Sequence, residues 1–438
     1  MNITIHRGID QIGGCITKIE SKNGKKILID LGHNLPDGDG QVNDIYDDSQ
    51  KLDGLLDGVD AVFYTHPHGD HIGFETKVAE KKIPQYIGEI SKEMMLVLKE
   101  NILYRSKEEN RASAQANYDA VNSFITYKAN DPVLIYDKDG KEDITVTPFY
   151  VSHSAADAYM FVIECDGKKV LHTGDFRDHG YRGCALMPMV NYYVAPKNVD
   201  ILITEGTMLG RGDKRLMPEE EIEKEAETYI KEGNNVFAMC SSMDADRLVS
   251  FYRANKKVPN RKLVVDGYQW HQLKKITDLL GSKDPKYKLI GATYYKKHKE
   301  DVLKSICHEG VTILVRNNYE FQQMIEEVYP LMKPENTFFI YSQFSGYIDR
   351  RHKAFQQRTY DFVNLKKWTV KELHTSGHAS KEALTEVCKT VNPRYAIIPI
   401  HRDAQTDFRS LDIPQELKDK VITEKKTYNV GDIIITIE

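Results

Sequence analysis

The sequence is poor in cysteine, and what it has is scattered. Six cysteines (Cys15, Cys165, Cys184, Cys240, Cys307 and Cys388) lie along 438 residues with no CxxC pair. No spacing outlines a disulfide framework, so they read as free thiols of a reducing compartment. Long apolar runs are missing too. Nothing approaches the roughly 20 residues that cross a bilayer, and the start, "MNITIHRGID", has no apolar signal core. The chain is therefore expected in the cytoplasm, with no membrane partner. Excess positive charge is also lacking. Sixty Lys and Arg stand against 65 Asp and Glu, a net charge of −5, so no global basic field advertises nucleic acid, although a local basic groove is compatible with it. There is no low-complexity tract and no internal repeat. What is left is a globular composition, 41% hydrophobic and 29% charged. Its length predicts two domains, or one large domain carrying an insertion.

The first third reads as strands and turns: "NITIHRG", "CITKIES", "KKILIDLG" and the almost wholly apolar "VDAVFYTH". Residues 91 to about 127 are rich in helix formers and predict helices. "ITVTPFYVSH" and "YMFVIECDGKKVLHTGD" return to strands, the second folded at Asp166-Gly167. After "VDILITEGT" the texture changes. A helix is marked by Pro218 at its start, acidic residues in its first turn and Gly233 at its end. Strands and helices then alternate to about residue 360, which predicts a parallel α/β sheet. A helix, "KEALTEVCKTV", and strands "YAIIPIH" and "GDIIITIE" close the chain.

Against this background one stretch stands out. "YTHPHGDHIG" places His66, His68, Asp70 and His71 within six residues, directly after an apolar strand. On an extended segment His66 and His68 point the same way and can reach one ion. Pro67 and Gly69 turn the chain so that Asp70 and His71 can aim at a second. Imidazole and carboxylate suit Zn²⁺, and the carboxylates also accept Mn²⁺. Further ligand types close later strands: His153 in "YVSHSAAD", Asp175 in "VLHTGDF" and His401 in "IIPIHRD". Together they complete a binuclear set.

The order HxHxDH, then His, then a "TGD" aspartate, then a late strand-end His resembles the metallo-β-lactamase superfamily, and Asp30 in "ILIDLG" matches that superfamily's first motif. The resemblance implies an α/β fold, a four-layer αββα sandwich with metals at the edge of two sheets. It implies one Zn²⁺ on His66, His68 and His153, another on Asp70, His71 and His401, Asp175 bridging, and Asp30 fixing ligand orientation. Asp175 and His401 are 226 positions apart, too far for the simple sandwich. "ITEGT", "HTSGHAS" and "PRYAIIPIH" resemble motifs A, B and C of the β-CASP branch, which includes RNase J and the nuclease of mRNA 3′-end processing. That branch inserts an α/β domain into the sandwich. The expected layout is a metallo-β-lactamase part over residues 1–207, an inserted β-CASP domain over 208–362, and a second metallo-β-lactamase part over 363–438.

By the same resemblance Glu205, His378 and His401 are the three motif residues. Chemistry agrees with the assignment. Two metals can activate water and neutralise charge at a phosphodiester, and the leaving oxygen still needs a proton. A histidine held by a carboxylate supplies one near neutral pH: His378, held by Glu205, with Asp70 able to take a proton from the attacking water. Ser376 and His374, beside the N-terminus of the next helix, are candidates for binding a substrate phosphate. Arg211 and Arg247 read as surface arginines. The sequence departs from RNase J in having Glu at motif A and "RDAQTDF" after motif C, and it stops at "GDIIITIE", so the further C-terminal domain that RNase J uses in dimerisation is not expected. The implied activity is a metal-dependent nuclease acting on nucleic acid, single-stranded RNA first, with a single-stranded DNA nuclease or a lactamase- or thioesterase-like small-molecule hydrolase as alternatives. Endo or exo mode, native metal and oligomeric state stay open at this level.

Overall fold

The computed structural model describes residues 1–36, 42–212 and 215–438. They form two compact units. The first combines Met1–Leu35, Val42–Arg215 and Gly377–Glu438, and the second is built on Leu216–Ser376.

Two sheets make the first unit. One has eight strands in the order Thr427–Val430, Ile433–Ile437, Asn2–Arg7, Ile16–Glu20, Lys26–Ile29, Ala61–Phe63, Gln85–Gly88 and Ile125–Tyr127. The other has six: Ala396–Ile400, Ile201–Glu205, Lys168–His172, Ala158–Cys165, Glu142–Val151 and Val133–Tyr136. Period-2 alternation sends one set of side chains from each sheet into a shared core. Ile3, Ile5, Ile19, Ile27, Ile29 and Phe63 from the first sheet meet Val146, Phe161, Ile163, Val170, Ile203 and Ile398 from the second. The opposite face of the six-stranded sheet (Val151, Val162, Leu171, Leu202, Ile397) is covered by Leu186, Val190 and Val194 and by Leu384, Val387 and Cys388 of the helix Lys381–Val391. Helices Glu75–Glu80 and Glu89–Arg105 lie on the far side of the eight-stranded sheet. The layers run helix, sheet, sheet, helix.

In the second unit all six strands are parallel, ordered Thr293–Tyr294, Lys262–Val265, Val311–Val315, Asn235–Met239, Thr337–Tyr341 and Thr369–Glu372. The helix expected between Pro218 and Gly233 runs Glu219–Glu232, with those two residues as its caps. On one face of the sheet Phe237, Ile313, Val315 and Phe339 pack on Val302, Ile306, Phe321 and Ile325.

Local differences from the sequence expectation have physical causes. The stretch 91–127 is helical only to Asn122. Ile125–Tyr127, two β-branched residues and an aromatic, pairs with Gln85–Gly88 instead. Two strands left no sequence signal, Thr293–Tyr294 and Thr369–Glu372. Both are short edge strands without a fully buried residue, so neither has an apolar run. Arg247 is not a surface residue. It is about 1% exposed, and its Nη2 and Nε donate to the wholly buried Glu219 at 2.9 and 3.2 Å. Ser250 Oγ also donates to Glu219, at 2.8 Å. The arginine neutralises a carboxylate that the helix packing takes out of water. Among the described residues no helix is long and apolar enough to cross a membrane.

Arg247→Met should destabilise the second unit by about 3–5 kcal/mol, the cost of leaving Glu219 buried without its partner. Glu219→Gln in the same chain should recover part of the loss, measured by urea unfolding.

Candidate metal centre

Every sequence-predicted ligand sits just past the C-terminal end of a strand. Asp30 follows Lys26–Ile29, His66 follows Ala61–Phe63, His153 follows Glu142–Val151, Asp175 follows Lys168–His172, and His401 follows Ala396–Ile400, while Glu205 is the last residue of Ile201–Glu205. Lys26–Ile29 and Ala61–Phe63 are parallel, as are Lys168–His172, Ile201–Glu205 and Ala396–Ile400. Glu142–Val151 reaches the same direction through two antiparallel pairings. Within each sheet the ligands therefore gather at one edge.

The turn carrying Asp70 and His71 is stitched to its neighbours by backbone. Cys15 N donates to Asp70 O (3.1 Å), Leu31 N to His71 O (2.9 Å) and His33 N to Gly69 O (2.9 Å). This approach needs Gly32, where a Cβ would lie 1.9 Å from Asp70 O. Asp30 and His401 have φ of +59° and +50°. Left-handed backbone at non-glycine residues costs energy and gathers at functional sites. Here it turns both side chains off their strand ends.

Hydrogen bonds settle which nitrogen of each histidine is bare. His68 Nε2 must donate to Ser154 O (3.2 Å), and His153 Nδ1 to Gly377 O (2.5 Å), because a carbonyl only accepts. Thr65 Oγ1 gives its proton to Asp30 (2.9 Å), so it accepts from His66 Nδ1 (3.0 Å). Likewise Thr207 Oγ1 donates to His401 O (2.9 Å) and accepts from His401 Nδ1 (2.7 Å). His71 Nδ1 lies 2.7 Å from Asp30 Oδ2. Each far nitrogen is thus occupied, and each near nitrogen presents a lone pair.

These lone pairs converge. His68 Nδ1 is 3.1 Å from both His66 Nε2 and His153 Nε2, with no proton left to lie between them. Such a triad repels itself unless a cation sits at its centre. The separation matches one edge of a tetrahedron around zinc, ~3.3 Å for Zn–N bonds of ~2.0 Å. Asp175 Oδ2 lies at the middle of the whole set: 3.2 Å from His71 Nε2, 3.5 Å from His401 Nε2 and 3.9 Å from both His66 Nε2 and His153 Nε2. Asp70 Oδ2 is 3.2 Å from His401 Nε2. His71 Nε2 is buried and in no hydrogen bond.

Electrostatics divides the cluster in two. Burial and the neighbouring imidazoles push His66 and His153 well below the usual histidine range, which keeps them neutral and ligating. For His71 burial acts the same way, but Asp175 and Asp30 outweigh it and hold the ring well above its ordinary value. Asp70 and Asp175 are held low despite burial, Asp70 by its hydrogen bond to His401 and by His71, Asp175 by His401 and His71. One half is a neutral nitrogen triad and the other is carboxylate-rich.

His378 adjoins this cluster. Its Nδ1 is 3.1 Å from Glu205 Oε2 and 3.6 Å from Asp175 Oδ2, and its side chain is 16% exposed. Glu205 is wholly buried and fixed by backbone donors, Phe176 N (3.1 Å) and Ala379 N (3.2 Å) on Oε1 and Thr207 N (3.4 Å) on Oε2.

The residue set has known counterparts. The model for the "Metallo-beta-lactamase superfamily" matches residues 17–180, a span holding His66, His68, Asp70, His71, His153 and Asp175. The model for the "Zn-dependent metallo-hydrolase RNA specificity domain" matches 366–411, which holds His378 and His401. The chain belongs to the metallo-β-lactamase superfamily, in its β-CASP branch. An RNase J-like protein of Methanocaldococcus jannaschii is 25% identical over 296 residues, 65% of this chain and 63% of that protein. A probable RNase MJ4 of the same organism is 28% identical over 192 residues, 43% of this chain and 42% of its own length. With both, the chain aligns over less than two thirds of the relative. The transcription termination factor FttA of Methanothermobacter thermautotrophicus is 22% identical, covering 97% of this chain and 70% of that one. A crystal structure of a protein of unknown function from Enterococcus faecalis V583 shares the fold, with TM-score 0.65, 18% identity and coverage of 92% and 94%. As in other metallo-β-lactamase proteins, the His/Asp cluster is a divalent-metal site.

Two details of this metallo-β-lactamase site differ from the sequence expectation. His66 and His68 do not share a strand face. They lie on a bend around Pro67 and converge through different nitrogens, Nε2 and Nδ1. Ser376 and His374 fall in the second unit, where His374 Nδ1 lies 3.5 Å from Arg247 Nη1. The helix that follows is already capped by Ser380, which accepts from Ala383 N and is itself held by Asp178. Thr65, Thr207, Ser154 and Gly377, which orient the histidines, were missed. Only Thr65 had a signal, its place next to His66.

Thr207→Val keeps the shape but removes the acceptor for His401 Nδ1–H. Metal affinity should fall about 10–100-fold with folding intact, measured by competition against a chromophoric chelator.

Proposed function

We propose that the chain is a metal-dependent ribonuclease of the RNase J-like kind, holding two Zn²⁺ and cutting single-stranded RNA with water as nucleophile. The observation that carries this is His378 on Glu205, 3.6 Å from the central carboxylate of the ligand cluster. A metal site alone serves many hydrolases, whereas a proton donor beside it serves a poor alkoxide leaving group. The match of the RNA-specificity model over both His378 and His401 supports RNA, as do the relatives named as RNases. The second unit is proposed to be the inserted β-CASP domain.

The residues would act as follows. His66, His68 and His153 hold one ion, Asp70, His71 and His401 the other, and Asp175 bridges. When bound, such ions supply Lewis acidity toward the phosphate and lower the pKa of water. Asp30 keeps His71 in the ligating tautomer, and Thr65 and Thr207 do the same for His66 and His401. Asp70 accepts the proton that water loses as its oxygen attacks phosphorus. As the P–O bond breaks, His378 gives a proton to the leaving oxygen, and Glu205 stabilises the protonated ring before that transfer. Burial of Glu205 excludes water from this pair, while the partial exposure of His378 leaves it open to substrate. Ser376 and His374 remain proposed as phosphate contacts.

His378→Ala should lower kcat by about 10²–10⁴-fold with two metals still bound. His68→Ala or Asp70→Ala should abolish cleavage and lower metal content. The assay uses 5′-labelled single-stranded RNA and DNA with zinc or manganese, reading product lengths on a gel. If fully metal-loaded protein cuts neither polymer, the ribonuclease reading is wrong.

A further inference from the structure

Cys15 is wholly buried and makes no disulfide. It lines the core between the two sheets, which accounts for its burial. Its place there is less ordinary. Its Sγ and the ligand atoms of His71 and His401 all lie within 4.8 Å of one another. Its backbone is clamped on both sides of the ligand turn, N–H to Asp70 O (3.1 Å) and C=O from Gly32 N (3.3 Å). A Cβ at Gly8 would lie 3.1 Å from the sulfur and 3.6 Å from His401 N, so the sulfur fills the space beneath His401. Independently of the thiol, His71 Nε2 is buried with no hydrogen bond, a donor atom aimed at something the protein itself does not supply.

We propose that Cys15 is a sulfur ligand for the ion held by His71 and His401, and that it makes this position select zinc over manganese. Hard Mn²⁺ prefers oxygen ligands, while borderline-soft Zn²⁺ gains from thiolate. Asp70 and Asp175 would otherwise leave the carboxylate-rich half open to either metal. On binding, the S–H bond breaks, its proton passes to solvent and an S–metal bond forms, with no change of oxidation state. The inference rests on the two-metal reading above and adds a ligand to it.

The test uses the full chain with the exposed Cys184 and Cys307 changed to serine, stripped of metal and reloaded with Co²⁺ to two equivalents. Binding of one of the two ions should bring a thiolate-to-cobalt charge-transfer band in the near ultraviolet. Cys15→Ser should lose that band while keeping two ions per chain, and its preference for zinc over manganese in competition should fall at least about tenfold. If Cys15→Ser does not fold, X-ray absorption of the zinc-loaded parent decides alone, through a sulfur neighbour at ~2.3 Å. Two bound ions with neither the band nor the sulfur neighbour would overturn the role of Cys15 and leave the two-metal reading standing. No ion bound to the parent would overturn that reading and this one with it.

Discussion

Five imidazole lone pairs and two carboxylates point at one another across a few ångströms, and everything around the site is arranged to hold that unfavourable convergence. Three nitrogens at 3.1 Å with no proton between them repel in the protein alone. The fold tolerates this because each ring is tethered from behind, by Asp30, Thr65, Ser154, Gly377 and Thr207. Protein stability is set against metal affinity, and a cation converts the repulsion into binding.

That convergence explains the sandwich. Strands of both sheets end at the site, and a parallel arrangement brings their C-terminal ends to one edge of each sheet. The rigid core between the sheets fixes where the strand ends lie. The left-handed residues Asp30 and His401 and the glycine contact at Gly32 then make the last local adjustments. Strain is confined to positions where the surrounding core over-determines the backbone.

The histidine-glutamate pair adds chemistry to coordination. Glu205 comes from the end of a central strand and His378 from the start of the chain's return after the second unit. Buried backbone donors satisfy the carboxylate on the side away from His378, which leaves Oε2 for the ring. A carboxylate so placed governs the histidine's orientation and charge without meeting solvent.

Much of this was legible beforehand because metal ligands are a small set of residue types at strand ends. His66, His68, Asp70 and His71 announce themselves in one decapeptide, and the βα alternation announces the parallel sheet. Thr207 was not legible, since a threonine is common and its partner His401 lies 194 positions away. The carbonyl of Gly377 was not, since a backbone acceptor has no side-chain signature and His153 is 224 positions distant. Arg247 was misread because exposure depends on what packs above a helix, not on the helix itself. The sequence by itself determined the donor atoms, their strand ends and the fold class, since these follow from residue type and local periodicity. Only the tertiary structure decided which nitrogen of each ring is bare, which half of the cluster is neutral and which carboxylate lies at its centre, because tautomer and charge are set by neighbours that meet only when the sheets close.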